Sequence, residues 1–203
     1  MGHRGKLGGA LVLTFLLLGC LAVSYSFSWY RIKVTFPTMS GNQSDLDTYA
    51  DYFWTKFRIT NAVSDHEVET DYGDSTKDIK QVFTVSLSFL SASAAAAVAV
   101  AIFQIIGIIA RSRFFRILAG IGGLVSFALL AVAFFTFFGI TKAFDKDNQC
   151  IGAPSKDNYC KSFYGSADNL LNAEYKWMPY IGWWVGVGGL AFSLLTAIAS
   201  FLA

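Results

Sequence analysis

The sequence predicts a mainly α-helical membrane protein: a left-handed bundle of four transmembrane helices carrying a small antiparallel extracellular β-sheet. Three observations lead there. Four apolar runs, roughly 7–30, 82–110, 115–141 and 179–203, each continue for 20 residues or more without Asp, Glu, Lys or Arg, apart from Arg116. The 203-residue chain is 54% hydrophobic and 15% charged, with a mean hydropathy of +0.47. A soluble domain carries about 25% charged residues and breaks its apolar runs wherever a face meets water. Third, the segment after the first run alternates apolar and polar residues with period two, the pattern of strands.

About 20 apolar residues in a helix cross the ~30 Å hydrocarbon layer. In lipid the backbone must close its own hydrogen bonds, so each run is read as a helix. The first run follows a basic start, Met1-Gly-His-Arg-Gly-Lys6, as a signal peptide would. Its apolar stretch is long for an h-region, and it is read as a retained helix.

The outer loop at about 31–80 opens on 29-WYRIKVTF-36, where Ile32, Val34 and Phe36 alternate with Arg31, Lys33 and Thr35 until Pro37. A turn region, 38-TMSGNQSD-45, contains the sequon Asn42-Gln-Ser44, a glycosylation acceptor on the outer side. Two further strands are predicted, 53-FWTKFRITN-61 and 66-HEVETDY-72, with AVSD turning the chain between them. An antiparallel hairpin that sets Lys56 against Glu69, Arg58 against Glu67 and Phe57 against Val68 satisfies both faces in one register. These four charged residues are a candidate interaction site; the plainer reading is that they solvate the hairpin.

The second run is rich in small residues: Ser86, Ser88, Ser91 and 92-ASAAAAVAVA-101. A basic turn at 111–116 leads to the third run, with Gly120, Gly122 and Gly123. The fourth carries Gly182-x-x-x-Gly186. Small residues let helices approach closely in lipid, and internal packing explains them as well as self-association does. No acid lies inside a run and Gln104 is the one strongly polar interior candidate, which argues against an ion pathway through this chain alone.

The second outer loop, about 142–178, holds Cys150 and Cys160 around a polar Gly/Pro-containing stretch. An oxidising compartment favours their pairing, and a ring of that size removes about 3 kcal/mol of unfolded-chain entropy. Cys20 is read as a small apolar filler. No metal or cofactor is expected, since His3 and His66 are the only histidines and no third outer Cys exists. Trp177 and Tyr180 fit a belt at the membrane interface. Leu170 and Leu171 either pack on the hairpin or, exposed, form a contact patch.

Charge sorts the two sides. All 14 acidic residues lie in 31–80 and 142–178, whereas 1–6 and 111–116 contribute Arg4, Lys6, Arg111, Arg113 and Arg116 with no acid. Cytoplasmic loops favour Lys and Arg, so both termini and the basic turn are assigned to the cytoplasm, and the long loops to the outside or a lumen. The fourth run reaches Ala203, so no cytoplasmic tail for a scaffold is expected.

These parts in this order resemble the claudin/PMP22 tetraspan superfamily over nearly the whole chain. Trp29, with Arg31 after it, resembles the tryptophan opening that family's first loop. Phe53-Trp54 resembles the end of its Gly-Leu-Trp motif, with Tyr52 and Phe53 in place of Gly-Leu, and Tyr180-Ile-Gly182-Trp183 resembles its opening of helix four. The first loop lacks the family's cysteine pair, so the chain is read as a divergent member. The resemblance implies a structural, adhesive membrane protein. It would self-associate through its outer sheet and helix faces, in the plasma membrane or in an endomembrane compartment with its loops in the lumen. The alternative it implies is an auxiliary subunit of a larger channel, transporter or pump. The expected partners are the lipid bilayer and either further copies or a larger membrane protein, with no nucleic acid. No nucleophile–base set or acid pair suggests an enzyme.

Overall fold

The computed structural model describes residues 3–36, 46–61, 66–150, 158–168 and 173–203. The elements run α1 (His3–Ser26), β1 (Tyr30–Phe36), β2 (Leu46–Tyr52), β3 (Lys56–Asn61), β4 (His66–Asp71), α2 (Lys77–Ala110) after a 3-10 turn at Asp74–Thr76, α3 (Arg113–Phe137), α4 (Ile140–Lys146), β5 (Gly165–Asp168), β6 (Glu174–Pro179) and α5 (Ile181–Leu202). Four helical spans are long and apolar enough to cross a membrane. Asn42, Leu170, Leu171 and the turn at 62–65 lie outside the described residues.

The chain forms two compact units. The first comprises Met1–Ser26, Ser86–Phe135 and Trp184–Ala203. It is helical because its sequence is apolar nearly throughout, and its helices are joined by small residues and a few hydrogen bonds. Gly123 of α3 shows the first device: a Cβ there would lie 3.0 Å from the backbone of Ala197 in α5, so glycine lets the two helices approach without displacing one another. Gln104 shows the second. The Thr14 hydroxyl of α1 donates to its Oε1 at 2.8 Å, and its Nε2 donates to the Ser200 hydroxyl of α5 at 3.1 Å. Ser93 of α2 and Ser126 of α3 pair at 2.8 Å. These buried polar groups, Gln104 included, therefore tie helix to helix. Arg111, at φ 52°, takes the left-handed conformation that ends α2.

The second unit comprises Phe27–Val85 and Thr136–Trp183. Its centre is a six-stranded antiparallel sheet in the order β4-β3-β2-β1-β6-β5. Strand alternation puts an apolar row across all six strands: Val68, Ile59, Ala50, Ile32, Trp177 and Gly165 stand opposite one another in turn. Against this face lies an aromatic core. Trp29, Tyr30, Phe83, Phe137 and Phe144 are fully buried, with ring centroids 5.0 Å apart for Trp29–Phe137, 5.9 Å for Tyr30–Phe144 and 5.2 Å for Phe83–Phe137. Such pairs add about 0.5–1.5 kcal/mol each beyond area burial. The start of α2 is capped by Asp147: its carboxylate accepts the backbone N–H groups of Asp78 at 3.1 Å and Ile79 at 2.8 Å. A carboxylate there meets the positive end of the helix dipole.

Three expectations change. The sheet has six strands where three were predicted, because β2 in the first loop and β5 and β6 in the second join it. The β3–β4 register differs from the expected one by two residues: Lys56 faces Asp71, Arg58 faces Glu69 and Ile59 faces Val68. An even shift keeps every side chain on its own face, and it brings Thr60–Glu67 and Asn61–His66 into the ladder. Trp177 is 1% exposed, so it belongs to the core under the sheet rather than to an interfacial belt. Gly165 makes room for it, since a Cβ there would sit 2.7 Å from the indole.

Candidate functional site

The face of the sheet opposite the apolar row carries the charge. Along one line across four strands stand Glu69, Arg58, Asp51 and Arg31, alternating in sign. Arg31 and Asp51 form a two-pronged pair. The Arg31 Nε donates to Asp51 Oδ1 and its Nη2 to Oδ2, both at 2.6 Å, and the Ser28 hydroxyl adds a weaker contact to Oδ1 at 3.4 Å. The guanidinium lies 3.7 Å from the centre of the Tyr180 ring and 5.1 Å from that of Tyr49. Burial works against the Arg31 charge, but the hydrogen bond and the charge of Asp51 outweigh it and raise its pKa above the ordinary value.

At the other end, Arg58 donates to Glu69 Oε1 from Nη2 at 2.6 Å and from Nε at 3.0 Å, and its Nη1 lies 3.6 Å from Glu67. Lys56 reaches the second oxygen of Glu69 diagonally. Lys56 first and Arg58 second hold the Glu69 carboxyl below its usual range. The predicted ion pairs Lys56–Glu69 and Arg58–Glu67 thus both occur, as diagonals of the shifted ladder. A neighbouring cluster forms around Asp47, which accepts from Lys33 at 2.7 Å, Thr35 at 2.8 Å and the Tyr49 hydroxyl at 2.9 Å. Lys33 is the main cause that depresses the Asp47 pKa, and Asp47 in turn raises that of Lys33.

The motif residues singled out in the sequence converge beneath this ladder. The Trp29 N–H donates to the Tyr52 carbonyl at 3.0 Å, and the Trp29 carbonyl accepts from the Tyr180 N–H at 2.9 Å. The Gly182 N–H donates to the Ser28 carbonyl at 3.0 Å. A Cβ on Gly182 would come within 2.6 Å of both the Phe27 carbonyl oxygen and the Trp29 ring, so the chain can pass here only as glycine. Trp54 packs on Trp29 with ring centroids 4.4 Å apart. Trp183 joins them through its backbone N–H, which donates to the Tyr180 carbonyl at 3.1 Å, while its ring lies against Phe163 and Phe138. Cys150 and Cys160 form the expected disulfide, with Cα atoms 6.3 Å apart. Beside it the Tyr159 hydroxyl donates to the Gln149 carbonyl at 2.6 Å. Among the described residues no three His, Cys, Asp or Glu side chains converge as metal ligands would.

Sequence reading missed Asp47, Tyr49 and Asp51, the residues that join Arg31 and Lys33 to the hairpin charges. The signal was present: 46-LDTYADY-52 alternates with period two. Its other face is Leu, Thr, Ala and Tyr, too weakly apolar to stand out. No family model matches the chain, and no curated protein matches it.

Proposed function

We propose that the protein is a claudin-like structural membrane protein that self-associates through its sheet, with the sheet on the non-cytoplasmic side. The observation that carries this reading is the end of the apolar face at β4, beyond which no further strand pairs among the described residues. Ile59 and Val68, opposite each other on β3 and β4, are 38% and 45% exposed, and β4 is an end strand of the sheet. An apolar pair beside an open strand edge is the surface a second strand or sheet would cover. On the opposite face nearly every cation has its carboxylate. Exposed ion pairs of this kind add little stability, but they impose charge complementarity on whatever approaches. That arrangement suits recognition better than proton transfer, and we assign no catalytic step.

The test is purification of the full chain in a mild detergent, with molar mass measured by light scattering. Self-association predicts a homogeneous species of several copies. Val68→Lys, which places a charge on the edge strand, shifts that species toward the monomer without unfolding it. A monomer whose state is unchanged by Val68→Lys would contradict the proposal, and stoichiometric co-purification with a larger membrane protein would favour the auxiliary-subunit alternative.

A further inference from the structure

We propose that a cleft in the helical unit binds the phosphate of an anionic membrane lipid through Arg113 and Arg116. The cleft, of about 320 Å³, is lined by these two residues together with Ile117, Ser200 and Phe201. The unit that contains it has no Asp or Glu at all. Among the described residues, accordingly, no carboxylate pairs with Arg113 or Arg116. The Nε–H of Arg116 is closed off from solvent and meets no acceptor, so a ligand in the cleft would meet the Nη groups of Arg116 and the exposed Arg113. A guanidinium fork matches phosphate oxygens in a way that suits no neutral group.

The remaining walls point to a lipid rather than a free phosphate. Ile117 and Phe201 are 52% and 47% exposed, leaving apolar surface next to the cations. A lipid covers both at once: headgroup phosphate on the arginines, glycerol and upper acyl chain on the apolar wall. The Ser200 hydroxyl is already committed, since it donates to the Thr196 carbonyl at 2.8 Å and accepts from Gln104 at 3.1 Å. Its part is to fix the wall, and the arginines supply the binding. Basic pockets among membrane helices are sites of this chemistry. The inference rests on the reading that these helices cross a membrane.

The test uses the full chain purified in mild detergent and titrated with phosphatidylglycerol or phosphatidylcholine, with bound lipid counted by native mass spectrometry. The wild-type protein is expected to bind one phosphatidylglycerol in preference to phosphatidylcholine. Arg113→Gln and Arg116→Gln should each lower that preference about fivefold, and the double variant should abolish it. Arg111→Gln, an exposed residue outside the cleft, should leave it unchanged. Arg113 is itself exposed, so Arg113→Gln keeps the fold and the test intact. The proposal is overturned if the double variant keeps the wild-type preference, or if Arg111→Gln weakens it equally, which is diffuse attraction to a basic surface. Inorganic phosphate at millimolar concentration should fail to displace the lipid; full displacement overturns the lipid as the ligand. Failure of the membrane reading shows up separately, as release of the protein from membranes by alkaline carbonate.

Discussion

Asp51 is the residue on which the charged face turns. It is buried, it holds Arg31 with two hydrogen bonds, and Arg58 stands opposite it on β3. Replacing it by Asn keeps the shape but removes the charge that compensates a half-buried guanidinium. The expected loss is about 2 kcal/mol, read as a lower thermal midpoint of the detergent-solubilised protein. Gly182 and Gly188 make a matched pair of substitutions to Ala. At Gly182 the new methyl meets backbone oxygens that cannot move away, and overpacking costs about 1–3 kcal/mol; at Gly188 there is nothing within 4 Å, so the change is neutral or slightly stabilising. Equal effects at the two positions would refute the packing account. Acid acts through Asp47, whose pKa is lowered in the folded chain. A depressed carboxylate contributes its stability above the unfolded value, near ~3.9, and loses it as pH falls through the folded value. Sheet stability should therefore be level from neutral pH down to about pH 5 and decline below about pH 4. Asp47→Asn should flatten part of that decline, measured by thermal unfolding across the range.

The elements show where the sequence could and could not be read. The four apolar helices were legible because nothing but a membrane span or a very large core carries so long a run without charge. The β3–β4 hairpin was legible as a pair of strands, but its register was not. Two registers that differ by two residues put the same side chains on the same faces, and both allow the ion pairs Lys56–Glu69 and Arg58–Glu67. The difference has a consequence. In the expected register, exchanging the charges of Lys56 and Glu69 would restore the hairpin. With Arg58 directly opposite Glu69, Glu69→Lys confronts Arg58. The double variant Lys56→Glu/Glu69→Lys should therefore remain less stable than wild type, which chemical unfolding would read; full rescue would argue for the other register. Strand β6 was hidden for a different reason. In 174-EYKWMP-179 the period-two pattern holds only from Glu174 to Trp177, since Met178 breaks it, and the six residues end at a proline and open on the polar second loop. Only its pairing with β1, about 140 positions earlier in the chain, makes it a strand. The disulfide needed no such partner, because two cysteines in one short polar loop have only each other. Cys150→Ser should cost about 3 kcal/mol by the chain-entropy argument, visible as a lower unfolding midpoint under non-reducing conditions.

At the scale of the whole molecule, charge is partitioned between the units. The helical unit contains no acidic residue, and every Asp and Glu of the chain belongs to the sheet-bearing unit. That division underlies both proposals: a sheet whose charges answer one another across strands, and a helical unit whose arginines lack a counter-charge of their own. It also makes the membrane orientation testable with two labels. With Cys20 replaced by Ala, a single free cysteine is placed at Ser75 in the turn before α2, away from the β4 edge, or at Arg111 between α2 and α3, both exposed positions, and intact cells are treated with a membrane-impermeant maleimide. Ser75→Cys should be labelled at once and Arg111→Cys only after the membrane is opened; labelling of both positions from the same side contradicts this orientation.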